Sequence, residues 1–389
     1  MRIAFVSRYP PVHCGIGEYT RMLVHAMTSI DPGLEIIVFS SSDAGWDEYV
    51  DKHVGVKVVP SFERGEQSYS KLAEAIRANG DFDVLHVQHE YSIFGLNNGI
   101  LRTLVGLREE GVAKRIVMTL HTVYHSSYEG SRVLQPYLDA LDAVVVHSVL
   151  QEMELIAQGV DPRRIWRIPH GTLINKFLGY PRRLIASMLD IDESRLQGIV
   201  LATMGFLERD KGIDLLVEAA RRMDRNTTLL VAGEPTEPDV LEDLEDLENA
   251  IVLPRYLDHD TMLAIAALAD ILVLPYRDKP WVYGVSGVLH LSMGSLKPII
   301  GTRIPKLVEL YQYAPRLTVP PEDPNHLALR IKWVVENYDM VVAYSSQLFS
   351  YAARTQWPRM ARRHLELYKL LLSRDEPDWQ PLWEPMPPH

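Results

Sequence analysis

The sequence predicts an α/β protein made of two doubly wound domains in series, each a mostly parallel sheet with helices on both faces. Three observations carry that reading. Short apolar runs rich in β-branched residues, such as RIAFVS at 2–7 and ILVL at 271–274, have the length and composition of strands buried on both faces. Stretches with a helical apolar period lie between them, and this alternation builds parallel sheets. The alternation runs out near residue 169, passes the Gly- and Pro-punctuated stretch PHGTLINKFLGYPRR, and restarts at residue 198. A chain of 389 residues exceeds one ordinary core, so two domains also suit the length.

Taken in order, the strand at 2–7 leads through RYPPVHCGIG into a helical pattern carried by Tyr19, Leu23 and Met27. A strand feeding a glycine-rich turn and a helix is the opening unit of a nucleotide-type domain. Strands are expected next at 34–40 and 56–59, a helix at 69–79, a strand at 83–88, a helix at 99–107 and a strand at 115–121. A helix ending near Leu141, a strand at 143–147, a helix at 149–158 and a strand-like run at 164–169 complete the first half. The second half reads strand 198–205, helix 211–223, strand 227–233, an acidic helix 239–247, strand 251–253, helix 259–269 and strand 271–275. The acidic helix has the composition of a solvated face. Beyond residue 324 the pattern is helical over 327–338, 340–353 and 358–373, and a Pro-rich tail carrying Trp379 and Trp383 follows.

A hydrophobic content of 47% with 23% charged residues is that of a soluble globular protein able to fill large cores. The formal charge of -11 argues against duplex nucleic acid as the main partner. Cys14 is the one cysteine, which excludes an intramolecular disulfide and a multi-cysteine metal site and suits a reducing compartment. Apolar runs fall short of a membrane span, and MRIAFVSRYPP is too short in its apolar part for a secretory signal, so a cytoplasmic location is expected. Peripheral contact with a membrane through a basic or aromatic surface is compatible with this composition.

The chain is organised around PWVYGVSGVLHLSMGSLKPIIGT at 280–302. It lies between two strand-like runs, with Ser286 as N-cap and Gly287 leaving room for close backbone approach. The amides of Gly287, Val288 and Leu289 are expected to point, unpaired, out of the helix start, which makes an anion site at the carboxyl end of a parallel sheet. An ordinary strand-turn-helix unit, with the glycine chosen for packing, gives the same pattern.

Seven stretches in order resemble the GT-B-fold glycosyltransferases of family 4, the retaining group that takes sugars from nucleotide diphosphates. They are SRYPPVHCGIGEYT, HVQHEYSIFG, MTLHTV, RIPHGT, MGFLERDKGIDLLVEA, PRYLDHDTMLAIAALADILVLPY and SGVLHLSMGSLKPIIGT, and the resemblance covers residue 1 to about 370. The resemblance implies two Rossmann-like domains facing across a cleft. The N-terminal, acceptor-side domain would cover 1–175 and the C-terminal, nucleotide-sugar domain 176–355, with 356–389 packing back on the first. It implies transfer of a hexosyl group from a nucleotide sugar to a carbohydrate or lipid-linked acceptor, with GDP-mannose preferred as donor and a UDP-sugar close behind. No cofactor and no metal are expected, because a helix start and a lysine would meet the phosphate charge directly.

By the same resemblance, Gly15 and Gly17 belong to a loop approaching the diphosphate, and His121 sits against the transferred sugar. Lys211 holds the leaving phosphate. Ser286, Gly287, Val288 and Leu289 meet the distal phosphate, Glu234 and Arg255 lie near base and ribose, and His89 and Glu90, after Gln88, face the acceptor. Three departures stand out. Phe206 occupies the position usually held by arginine, so Arg209 becomes the candidate second cation. Tyr283 and Leu291 occupy the positions of the family's paired glutamates, as in a subset lacking them. His290 is a candidate substitute polar contact, or a helix histidine satisfied by a neighbour. These departures motivate an alternative, a weakened GT-B protein that binds a nucleotide sugar or carbohydrate without transfer. A nucleotide-sugar epimerase or hydrolase on the same fold is another.

Overall fold

The computed structural model describes residues 1–373, apart from 224–225, 238 and 245. Its strands are β1 (Arg2–Ser7), β2 (Glu35–Ser41), β3 (Tyr49–Asp51), β4 (Val56–Phe62), β5 (Phe82–His89), β6 (Ala113–Leu120), β7 (Thr122–Tyr124), β8 (Ala143–Val146) and β9 (Ile165–Arg167). They continue as β10 (Ile199–Met204), β11 (Thr227–Ala232), β12 (Ala250–Leu253), β13 (Ile271–Leu274), β14 (Val282–Gly284), β15 (Ile299–Thr302) and β16 (Thr318–Val319). The chain divides into two compact units. The first holds Met1–Gly171, Trp281–Val285 and the described chain from Trp357 to Ser373; the second holds Thr172–Pro280 and Ser286–Gln356.

In the first unit the sheet runs β3-β4-β2-β1-β5-β6-β8-β9. Its pairs are parallel except β3 with β4. β1 lies between β2 and β5, with Ile3 opposite Ile36 on one side and Val84 on the other. Strand order reverses there, so the loops after β1 and β5 part and leave a crevice at their carboxyl ends. The helix Gly15–Ile30 leaves one of those loops, and the helix Trp357–Leu372 packs against it. The sequence reading had placed 281–285 in the second domain. Those residues join the first unit because β14 pairs antiparallel with β7, Tyr283 opposite Val123.

In the second unit the sheet runs β12-β11-β10-β13-β15-β16 with every pair parallel. The reversal falls between β10 and β13, and β15 follows β13. Ile271, Leu272, Val273 and Leu274 are all buried, as a strand covered on both faces requires. Each unit has its own apolar core.

Two expected helices are replaced. The segment ending near Leu141 is two 3-10 stretches, Glu129–Val133 and Gln135–Ala140. Pro136 interrupts the ladder, and the Gln135 amide instead brackets Tyr124, accepting from its N–H at 2.7 Å and donating to its carbonyl at 2.8 Å. In the acidic segment the described residues form a single 3-10 turn, Glu242–Leu244. Asp239, Glu242, Asp243 and Asp246 repel at helical spacing with no basic residue among them. The helix expected from Lys211 starts instead at Ile213, after a 3-10 turn over Arg209–Lys211. The expected extended tail beyond residue 373 lies outside the described residues.

Candidate active site

On the first unit the site begins with the helix start at Gly15. The sequence reading made Gly15 and Gly17 a loop; they are the first turn of Gly15–Ile30, with extended Cys14 as N-cap and no side chain capping the amides. Gly15 is exposed with open space around it, whereas Gly17 is buried where a Cβ would lie 3.3 Å from the Arg8 carbonyl oxygen. One glycine leaves the helix start accessible. The other lets the helix pack under the β1 turn.

His121 lies just past β6, nearly buried, and its Nε2 is 2.9 Å from Gln88 Oε1 on β5. Burial and the neighbouring His147 and His170 hold its pKa well below the usual histidine range, so the ring is neutral at physiological pH. Tyr19 packs edge-on to it, with ring centroids 4.8 Å apart.

The structure moves His89 off the acceptor side. Its side chain is 0% exposed, stacked on Phe94 and edge-on to Tyr91, and both ring nitrogens lack hydrogen-bond partners. Side chains alternate along a strand, so His89 at the end of β5 turns into the core while Gln88 turns the other way. Burial pushes its pKa down to about 3. Glu90 is half-buried and caps the short helix Tyr91–Phe94: Oε1 accepts from the Tyr91 N–H at 2.9 Å and Oε2 from the Thr122 hydroxyl at 2.7 Å.

On the second unit the loops after β10, β13 and β15 converge. Gly212 is left-handed, with φ of 65°, and a Cβ there would sit 2.1 Å from the Pro275 carbonyl oxygen. Glycine thus lets the Lys211 loop close onto the end of β13. Lys211 Nζ stands 4.6 Å from the centre of the Tyr276 ring, and the Ser286 hydroxyl is 3.5 Å from the Tyr276 hydroxyl. The helix Gly287–Met293 starts as expected, with Gly287 exposed and Val288 half-buried. One expectation fails: the Leu289 amide donates to the Ser286 hydroxyl at 3.2 Å, so the free amides of that turn are those of Gly287 and Val288.

Arg209 is not the second cation at this point. It is exposed and paired with Glu237 at 3.0 Å and with Asp239, so its charge is already met. The sequence reading missed Lys306, in the turn Pro305–Leu307 after β15. Lys306 has no hydrogen-bond or ion-pair partner among the described residues. The nearby Lys211 ammonium and burial push it down to about 8, against the pull of Asp210. Lys279 pairs with Asp210 at 2.7 Å. Burial raises the Asp210 carboxyl, but Lys211, Lys279 and Lys306 hold it well below the usual range. Burial raises Glu208, with Lys211 opposing. Three lysines therefore share two carboxylates, and Lys211 stands on the Tyr276 ring whose hydroxyl meets Ser286 at the helix start.

The remaining candidates are more scattered. Glu234 is half-buried after β11 and Arg255 is exposed after β12. Phe206 is half-buried with its ring 6.1 Å from Tyr256. Leu291 is buried and belongs to the apolar core of the second unit. His290 is also fully buried; Nδ1 bonds the Ser286 carbonyl at 2.9 Å and Nε2 lies 3.7 Å from Glu309 Oε1. It is a helix histidine satisfied by its surroundings. Burial pushes His290 down to about 4 and Glu309 up to about 7, so the pair is neutral near pH 6.

That pair has a stability consequence. Glu309 contributes stability that is full below its unfolded pKa, near 4.5, and is lost as pH rises through about 7. His290 contributes stability that is full above its unfolded pKa, near 6.5, and is lost as pH falls through about 4. Glu309→Gln removes the first term alone. Thermal melts are expected to show an unchanged Tm at pH 5 and a Tm raised by a few degrees at pH 8, about 2–4 °C per kcal/mol.

Among the described residues no group of three or more His, Cys, Asp or Glu is placed to hold a metal ion. Among the described residues no helix is long and apolar enough to cross a membrane.

Two units of this build are the GT-B arrangement, and solved GT-B structures superpose on the chain. HepE of Anabaena, crystallised with UDP, gives a TM-score of 0.72 at 15% identity, covering 95% of this chain and 100% of that one. The UDP-forming trehalose-phosphate synthase of Burkholderia xenovorans, crystallised with glucose-6-phosphate, gives 0.70 at 14% identity, covering 95% and 100%. In sequence, the D-inositol 3-phosphate glycosyltransferase of Corynebacterium urealyticum is 22% identical over 97% of both chains. The family model for Glycosyltransferase Family 4 matches residues 14–174, and that for Glycosyl transferases group 1 matches 198–337. The chain belongs to this group 1, family 4 type of glycosyltransferase.

Proposed function

We propose that the protein transfers a hexosyl group from a nucleoside diphosphate sugar to a carbohydrate acceptor, with retention of configuration and without a metal ion. The observation that carries this is the pair of lysines, Lys211 and Lys306, on the second unit, with Lys211 on the Tyr276 ring whose hydroxyl meets Ser286 at the helix start. Charge develops on the distal phosphate as the sugar leaves, and cations fixed where it develops stabilise the transition state more than the ground state. On the first unit, neutral His121 is suited to accept a hydrogen bond from a hydroxyl of the sugar. Retention follows if the acceptor attacks the face the phosphate leaves, a phosphate oxygen taking its proton.

Of the donors the sequence brings forward, GDP-mannose and a UDP-sugar, the ligands of the relatives favour the UDP-sugar. HepE was also solved with UDP-glucose. The acceptor reading draws on the inositol phosphate and the sugar phosphate named for two similar proteins. Buried Leu291 and the absence of both family glutamates favour a second reading, a protein that binds the donor without transfer.

Incubation with labelled UDP-, GDP- and ADP-sugars separates these. Slow donor hydrolysis that an added sugar phosphate converts to transfer supports the proposal. Binding without turnover supports the second reading, and rapid hydrolysis or an altered sugar points to a hydrolase or epimerase.

A further inference from the structure

The first unit contains a buried polar chain that the transfer reaction does not by itself require. It starts on the last helix, where the Tyr368 hydroxyl hydrogen-bonds His86 Nδ1. His86 Nε2 is 2.8 Å from the Thr119 hydroxyl and 3.4 Å from Gln88 Nε2, and Gln88 Oε1 is 2.9 Å from His121 Nε2. The Gln88 amide lies with its nitrogen toward His86 and its oxygen toward His121. In that orientation the nitrogen can only donate, so His86 Nε2 accepts from it and from the Thr119 hydroxyl, and Nδ1–H donates to Tyr368. An amide oxygen can only accept, so His121 Nε2 must carry the hydrogen.

We propose that Gln88 is a positioning residue that holds His121 as the neutral Nε2–H tautomer, leaving Nδ1 as a bare acceptor for a ligand hydroxyl. Among the described residues Nδ1 makes no hydrogen bond, and it keeps access to solvent. The titratable groups around the ring are His86 and, across the strand, His89 of β5, with His147 after β8, His170 and the Tyr19 phenol. No carboxylate hydrogen-bonds the ring, so nothing at this point favours the imidazolium. Gln88, His86, Thr119 and Tyr368 are all buried, which keeps water from competing for the same bonds. The last helix thus takes part in setting the tautomer through Tyr368.

The consequence for transfer rests on the proposed function; the tautomer does not, and the test reads it directly. The full chain labelled with 15N-histidine is followed by long-range proton-nitrogen correlation from pH 5.5 to 8.5, with His121 assigned by the signals lost in His121→Gln. The expected result is a single protonated nitrogen, Nε2, unchanged across the range. In Gln88→Leu the His121 signals move to the averaged position of a mixed tautomer. In the near-isosteric Gln88→Glu, which keeps the packing, the carboxylate raises the ring pKa and His121 titrates within the range. A wild-type His121 protonated at Nδ1, or one titrating near its ordinary value, overturns the proposal. So does a Gln88→Glu spectrum identical to wild type. Where transfer is measurable, Gln88→Glu adds an ionisation to the kcat profile with donor KM unchanged.

Discussion

Lys211→Ala is expected to lower kcat for transfer by about two to three orders of magnitude, the cost of removing one fixed stabiliser of developing charge. The ammonium is held by the Gly212 turn and the Tyr276 ring, so its position does not depend on a ligand arriving. That preorganisation matters because the charge on the distal phosphate appears at the moment of bond cleavage. Lys211 is half-exposed, and Asp210 keeps its 2.7 Å pair with Lys279 when Lys211 is removed, so the fold should persist. The measurements are steady-state kinetics with a UDP-sugar and a thermal melt. A near-wild-type kcat with an unchanged Tm removes Lys211 from the site.

Lys306→Met is expected to weaken UDP binding at pH 7 by roughly ten- to a hundredfold, the range for losing a hydrogen bond to a charged group. It also changes the pH dependence. Lys306 is pushed down to about 8, so in the wild type its positive charge fades as pH rises through that value, and UDP affinity should fall between pH 7 and 9.5. A bound phosphate pulls the amine back to its charged form, so binding should take up protons near pH 8. Calorimetry at the two pH values in buffers of different ionisation enthalpy checks both statements. Lys306→Met abolishes the proton uptake, and Lys306→Arg keeps the affinity while removing the pH dependence. Affinity that is flat across this range in the wild type separates Lys306 from the phosphate.

Much of this was legible in the residues. Alternating apolar runs placed the parallel strands, because a strand buried on both faces has little other composition open to it. Ser286 and Gly287 marked a helix start because capping is local chemistry, readable within four residues. The same local reading misjudged the Leu289 amide, which the cap itself occupies, and expected helix before Leu141 and over 239–247, where a proline and a run of like charges intervene.

What tertiary structure alone decided is which charges stand together. Lys306 is 95 residues from Lys211 in the chain and enters the site because β15 lies beside β13, where the order of the sheet has just reversed. Arg209, two residues from Lys211, is drawn away by Glu237 and Asp239. His89 and Gln88 are neighbours in sequence and face opposite sides of one strand, so one is core and the other holds His121. The amino-acid sequence by itself determined the elements, their caps and the family, since those rest on short-range steric and hydrogen-bonding rules. Pairing of charges and the tautomer of a buried ring depend on distances between segments far apart in the chain, and those distances exist only once the sheets have formed.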